Sequence, residues 1–329
     1  MSEDNIIYRS DGAVPYSFNK AERLNELLLE MLLHSGQLER TQRYDLDFDH
    51  QFIPTEKYDT LYSYKKERGY FPGVATIGEM IVGLEGRNAN TNVRFHQADT
   101  LKGLFRRLAE RGIYINRCRM DCGSYSEEII RTVHGYCNTF YIRASRCASL
   151  YERIHGITDW KRAEINFEDY EVASIPFTSF LEEEHYRLVI QRQKRSKGDL
   201  DLFEKDYTYR CIVTNDWDMT EEEVILFYNK RGASERTFDV MNNDFGWGNL
   251  PCSFLKENTA FLLLTAMARN FYALLVEKVS KVFKDIAPES RIKKFIFRFI
   301  TVPAKWIKAG RQWILKIFSD NPYDLLWKT

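Results

Sequence analysis

The spacing of apolar residues changes several times along the chain, and each change marks an element. Residues 19–35, NKAERLNELLLEMLLHS, repeat their leucines at helical spacing, which predicts an amphipathic helix with Asn19 as N-cap and Gly36 as its stop. The stretch YDLDFDHQF, 44–52, alternates with period two and predicts a strand. Residues 69–87 read as two strands joined by a glycine-containing turn, and 98–112 carry a helical stripe at 101, 104, 105 and 108, closed by Gly112. A strand over 113–124 runs into a turn. A helix over 124–137 follows, with a Ser124–Glu127 capping-box spacing, and then a strand over 139–145. The order β-β-β-α-β-α-β predicts a mixed α/β layered domain.

From about 155 to 215 the pattern turns to β-like stretches separated by the polar turn SKGDLDLFEKD, which predicts an all-β insertion protruding from the first domain. TEEEVILFYNKRGASERTFDVM then resumes as one helix, capped by Thr220 and acidic in its first turn. The most apolar run, 259–276, is interrupted by Arg269 and Asn270. It predicts a buried helix within about 254–285 rather than a membrane span. The expected organisation is an N-terminal helical segment (1–36), a core in two parts (37–154 and 216–285) split by the insertion (155–215), and a tail (286–329).

The 329 residues, 44% hydrophobic, suffice for one large domain or two ordinary ones, and 47 Lys+Arg against 47 Asp+Glu leave net charge silent about a partner. The distribution says more. Residues 291–318 hold eight Lys/Arg and no acid, interleaved with Phe and Trp, and suit a DNA backbone groove through Lys305, Lys308 and Arg311. A basic helix on a membrane and a solvated helix pair on the core are the alternatives, although Pro303 interrupts any single long helix. The six cysteines form no C-x-x-C pair and read as reduced thiols, with Cys118 and Cys122 lacking the second pair that zinc requires.

Asp45, Asp47 and Asp49 share one face of the acidic strand, an unfavourable crowding of like charges unless cations neutralise it. Asp49 and Asp121 stand at the C-terminal ends of two predicted strands, where sites gather in open α/β sheets, and Glu235 lies in the helix after the insertion. Hard oxygen ligands converging from separate elements suit Mg²⁺ or Mn²⁺, and a pair of such ions assists phosphoryl transfer. Taken singly, an Asp at a strand end is a turn former and Glu235 a surface residue. Tyr228, Arg231, Glu235 and Asn242, at intervals of 3, 4 and 7, fall on one helical face, and an Arg beside a Glu there suits phosphate contacts. His50, on the opposite strand face from Asp49, reads as packing.

The segments LDFDHQFIPTEKYDTLYSYKKERGYFPGVATIG, RMDCGSYSEEIIRTVHGYCNTFYIRAS and YNKRGASERTFDVMNNDFGWGNLPCSFLKENTAFLLLTAMARNFY resemble, in that order, DDE transposases of bacterial insertion sequences. The likeness runs over about 19–285 and is nearest to a group common in Bacteroides-type bacteria. It implies an RNase H-like mixed sheet flanked by helices, with an all-β insertion before the last acidic residue and a helical C-terminal region. It also implies Mg²⁺-dependent cleavage of transposon ends and strand transfer, with double-stranded DNA (terminal inverted repeats and target) as partner. A homodimer in a synaptic complex, no membrane, and the nucleoid of the bacterial cytoplasm complete the expectation.

By position the resemblance places the catalytic triad and metal ligands at Asp49, Asp121 and Glu235, with Asp47 competing for the first place. The family's Y-(2)-R-(3)-E-(6)-K pattern falls on Tyr228, Arg231 and Glu235, with Asn242 where the lysine stands, so one DNA contact departs from the pattern. Relatives carry more than the 48 residues that precede Asp49 here, which implies a truncated copy and raises a second reading, a catalytically inactive DNA-binding remnant. A host nuclease of the same fold is a third. Trp160 and Trp217 border the insertion, where relatives stack aromatics on a flipped base; core packing is the structural alternative.

Overall fold

A computed structural model describes residues 6–10, 15–145, 147–178, 185–194 and 206–318. The chain begins with a hairpin, β1 (Ile6–Ser10) and β2 (Pro15–Asn19), where the sequence predicted helix alone. Helix α1 (Glu22–His34) starts only at Glu22, because Ala21 sits at φ 44 and donates its N–H to the Asn19 side chain at 3.0 Å. Strand β3 (Arg43–His50) is followed by a small sheet of β4 (Ile53–Pro54), β5 (Leu61–Tyr62) and β6 (Arg68–Tyr70). Then come β7 (Gly73–Ile77), β8 (Met80–Arg87), α2 (Gln97–Glu110), β9 (Tyr114–Met120), α3 (Glu127–His134) and β10 (Cys137–Arg143). The N-cap of α3 is Ser126, not Ser124, because Ser124 is buried and its hydroxyl accepts a hydrogen bond from Gln97 Nε2 at 2.6 Å.

At the centre of the main sheet the order is β8-β7-β3-β9-β10, antiparallel through β8, β7 and β3 and parallel through β3, β9 and β10, the RNase H-like arrangement. After α4 (Ala148–His155), residues 155–215 supply β11 (Lys161–Ile165), β12 (Glu168–Pro176), β13 (Arg187–Lys194) and β14 (Tyr207–Thr214). They are strands, but they prolong the central sheet instead of standing off from it: β14 pairs antiparallel with β10, Tyr141 opposite Thr214 and Arg143 opposite Ile212. The open edge of β10 presents unpaired backbone groups, and β14 satisfies them. Most of the polar turn, 195–205, lies outside the described residues.

Side chains alternate across the sheet. Leu46 and Phe48 of β3 and Phe140 and Ile142 of β10 enter one large core, while Tyr141 enters a second on the opposite face. The expected single helix after the insertion is broken. Helix α5 (Glu221–Asn229), started by a Thr220–Glu223 capping box, packs into the second core. A 3₁₀ turn at Lys230–Gly232 follows, and α6 (Ala233–Asp244) contributes Phe238 and Met241 to the first core. The break therefore carries the chain around the end of the sheet.

Helix α7 (Leu255–Ser280) is long and apolar enough to cross a membrane by length and composition, yet its polar residues are used inside the fold. Asn270 exchanges two hydrogen bonds with the backbone of Ile81, at 3.1 and 2.7 Å, and Asn25 of α1 does the same with Leu84, at 2.9 and 2.8 Å. Two asparagines thus complete the stretch of β8 that β2 leaves uncovered, where unpaired backbone groups would otherwise be buried. A Cβ at Gly86 would collide with the Thr259 hydroxyl of α7. Gly86→Ala is expected to force the helix off the strand at a cost of about 1–3 kcal/mol, read as a lowered urea midpoint.

Beyond α7 the chain turns back through α8 (Ile292–Phe295) and a single π-helical turn, Ile296–Ile300, packing Phe299 on Val276, Val279 and Phe283. The basic tail then forms a hairpin, β15 (Ala304–Ala309) and β16 (Gln312–Ile317), not the helix pair considered from sequence. Pro303 stops the helix, and Gly310, at φ 63, makes the tight reversal that a β-carbon would strain.

Candidate active site

Strand β3 hides its alternate apolar residues in the large core and turns Asp45, Asp47 and Asp49 toward α5. The crowding is relieved by arginines. Strand β9, parallel and in register, places Arg117 beside Asp45 and Arg119 beside Asp47. Both pairs are bidentate, at 2.9 and 2.5 Å for Arg117–Asp45 and 2.6 and 2.7 Å for Arg119–Asp47. The Phe227 ring of α5 lies over both guanidinium groups, at 4.0 and 4.6 Å, and Arg119 donates to the Phe227 carbonyl at 2.8 Å. The acid–arginine ladder therefore seats α5 on the sheet. These arginines went unread in the sequence, although Arg117 and Arg119 repeat with the same period of two as the aspartates.

Asp47, the competitor for a metal-ligand role, has both carboxylate oxygens engaged by Arg119 and is buried. Burial raises its pKa, against the pull of Arg119. Asp49 differs, because β9 has no arginine to offer it. One oxygen accepts the His50 N–H at 3.0 Å and the other accepts from Arg231 Nη1 at 2.5 Å. Burial holds the Asp49 carboxyl above the usual range, Arg231 works against this, and the neighbouring charge of Asp121 adds to it. Asp121 follows Met120, the register partner of Phe48, so the two aspartates stand at adjacent parallel strand ends. Asp121 accepts from Gly123 N–H at 3.0 Å, capping the turn that follows β9.

The helix break brings the remaining residues to this edge. Tyr228, at the end of α5, donates to the Met120 carbonyl at 3.2 Å, and burial pushes its hydroxyl up to about 12. Arg231 stands in the 3₁₀ turn above the strand ends. Asn242 accepts from Gln51 Nε2 at 2.7 Å, so its side chain is engaged within the fold. Glu235 is exposed on the first turn of α6, and the break before it means that it does not share one continuous helical face with Tyr228 and Arg231. Among the described residues no three His, Cys, Asp or Glu side chains stand close enough to hold a metal ion. The structure thus brings together Asp49, Asp121, Arg231 and Tyr228, and Glu235 lies in solvent beyond them. Lys305, Lys308 and Arg311 are on the hairpin. Trp160 is half-buried with Arg192 stacked on it at 3.8 Å, and Trp217 is half-exposed and donates to the His185 carbonyl at 2.6 Å.

The donor set fits a divalent cation. Two hard carboxylates stand at adjacent strand ends, and the Asp121 charge that works against ionisation of Asp49 is what a cation would neutralise.

On the opposite face, His50, Glu85, Arg87 and Thr100 form a closed polar cluster. Arg87 pairs with Glu85 through Nε at 2.6 Å and through Nη2, Thr100 donates to Glu85 at 2.7 Å, and His50 Nε2 stands 3.4 Å from Glu85, an ion-pair distance more than a formed hydrogen bond.

A family model described as a transposase DDE domain matches residues 40–271, well over half of the chain. No curated protein matches. Among solved structures, the chain is similar to a piggyBac transposase in its synaptic complex with hairpin DNA. The identity is 11%, over 79% of this chain and 52% of that one, with a TM-score of 0.47, so this chain spans about half the length of that protein.

Proposed function

Because the chain belongs to the transposase DDE domain family, we propose that it cleaves DNA at transposon ends and transfers the freed strand to target DNA by metal-dependent phosphoryl transfer. The observation that carries this reading is the pair Asp49 and Asp121 at adjacent parallel strand ends, with Arg231 held over them. Asp49 and Asp121 would hold the divalent cation, Mg²⁺ with Mn²⁺ as a substitute; Glu235, exposed on the first turn of α6, is the third ligand that the family resemblance implies. Bound there, the cation supplies charge neutralisation at the reacting phosphate and activation of the attacking oxygen.

The chain's own part is positioning. Arg231, resting on Asp49, offers a guanidinium fork to a phosphate oxygen arriving at the strand ends. Tyr228 pins that turn to the end of β9. The three quoted segments support a place in the insertion-sequence group common in Bacteroides-type bacteria, acting as a homodimer on terminal repeats at the nucleoid. The engagement of Asn242 by Gln51 favours, as a second reading, a remnant that binds DNA without completing transposition.

The test is nicking of a duplex that carries the element's own terminal repeat, with Mg²⁺, Mn²⁺ or a chelator. Strand cleavage that appears with either metal and vanishes with the chelator is the expected result. Binding without nicking in both metals selects the remnant.

A further inference from the structure

We infer that the β15–β16 hairpin is a DNA-docking ribbon, built to lie in the major groove of a duplex through residues other than those of the strand-end site. The inference rests on the proposed action on DNA, but on different residues.

A two-stranded hairpin alone is marginal in water, and this one is solvent-exposed along almost its whole length, with Trp306 61% and Trp313 67% exposed. Its sequence makes the isolated state worse. The register sets Lys305 directly opposite Lys316, a like-charge pair that weakens a hairpin unless an anion lies against it. On the other face Trp306 stands opposite Leu315, and Lys308 opposite Trp313. Residues 302–318 hold four cations (Lys305, Lys308, Arg311 and Lys316) and no acid, with Arg311 in the turn.

One ligand answers both faces. A duplex offers phosphates on each side of a groove to Lys305, Lys316 and Lys308, and base edges and thymine methyl groups to Trp306, Leu315 and Trp313. The major groove, about 12 Å wide against about 6 Å for the minor, takes a two-stranded β-ribbon without being opened. At about 3.3 Å per residue, six-residue strands reach about 20 Å, enough to follow the groove for roughly half a helical turn. A second copy of the chain would cover the tryptophans but add like charge to the opposed lysines; an anionic membrane would meet both, and binding to lipid vesicles separates it from a duplex.

The experiment uses the full chain and a fluorescein-labelled duplex of unrelated sequence, with affinity measured across a salt series. Lys305→Gln/Lys308→Gln/Lys316→Gln is expected to weaken binding about tenfold or more at low salt, and to flatten the slope of log K against log salt by about 3, since each phosphate contact contributes about 0.9. Trp306→Ala/Trp313→Ala is expected to weaken binding about tenfold with the slope unchanged, because apolar contact releases no counterion. The core's thermal unfolding midpoint should stay at the parent value in both variants. Methyl green, a major-groove ligand, should compete with the protein, and distamycin, a minor-groove ligand, should not.

Unchanged duplex binding in either variant overturns the inference. So does a loss confined to vesicles of anionic lipid, a shift in sedimentation without one in DNA affinity, or competition by distamycin alone. The catalytic reading fails separately: a parent that docks through the hairpin yet never nicks refutes catalysis and leaves this inference standing. Nicking by a parent whose hairpin variants bind normally does the reverse.

Discussion

Asp121→Asn is expected to lower metal-dependent strand cleavage by at least about a hundredfold while leaving duplex affinity within about a factor of two. The substitution keeps the shape and the acceptor that caps Gly123 N–H, but removes one of the two charges at adjacent strand ends. Metal-assisted stabilisation of a transition state amounts to several kcal/mol, and each 1.36 kcal/mol is tenfold in rate, so losing much of it crosses two decades. Affinity survives because phosphate binding comes from Lys and Arg, and one acid fewer reduces repulsion. A second readout does not need turnover: Mn²⁺ should raise the parent's unfolding temperature through binding to the folded state, and should raise the variant's much less. A variant that nicks as fast as the parent would show that Asp121 is not part of the site.

The largest stability effect is expected at the buried cluster behind β3. Glu85 and Arg87 are both fully buried, and Arg87 also donates to the carbonyls of Asn92 at 2.6 Å, Val93 at 2.8 Å and Phe95 at 3.1 Å. Arg87→Met removes the cation and leaves Glu85 as an uncompensated buried charge, which costs about 3–5 kcal/mol. Chemical denaturation at pH 7 should show it, and the double variant Glu85→Gln/Arg87→Met should recover part of the loss.

The pH dependence reverses as well. In the parent, burial works against the Glu85 charge, but Arg87, His50 and Thr100 together outweigh it and hold the carboxyl below its ordinary 4.5. A folded-state pKa below the unfolded one means that this stability is complete above the unfolded value and is lost as pH falls through the folded one. Without Arg87, burial dominates and the folded pKa rises above the unfolded value. The Arg87→Met variant should therefore gain stability relative to the parent as pH drops from 8 to 5. A parent-like pH profile would show that Arg87 does not set the protonation of Glu85.

Much of this was legible along the chain. The period-two alternation of 44–50 and the helical stripes of 19–35 and 98–112 are local signals, and they locate β3, α1 and α2 because one face of each must be buried whatever surrounds it. The two aspartates at strand ends were legible for the same reason, since a strand's C-terminus is a property of its own sequence. The interruption of 259–276 by Arg269 and Asn270 likewise marked α7 as an internal helix.

Other features depended on partners distant in sequence. The three aspartates do not wait together for cations: Arg117 and Arg119 answer two of them across 72 positions, and only the parallel register of β3 and β9 could show which carboxylate is left to meet Arg231. Gly232 carries no local signal that separates a mid-helix glycine from a break, and the break exists because α5 and α6 bury their apolar residues in cores on opposite faces of the sheet. Residues 155–215 could be read as strands from their alternation, but their joining to β10 was set by that strand's open edge. The hairpin at 304–317 was hidden because its apolar residues stay largely exposed among the described residues, and burial is what makes a pattern predictable. Alternation along a chain follows from each residue's own transfer free energy, whereas register, charge pairing and the sharing of an edge are set by whichever distant groups would otherwise be buried without a partner.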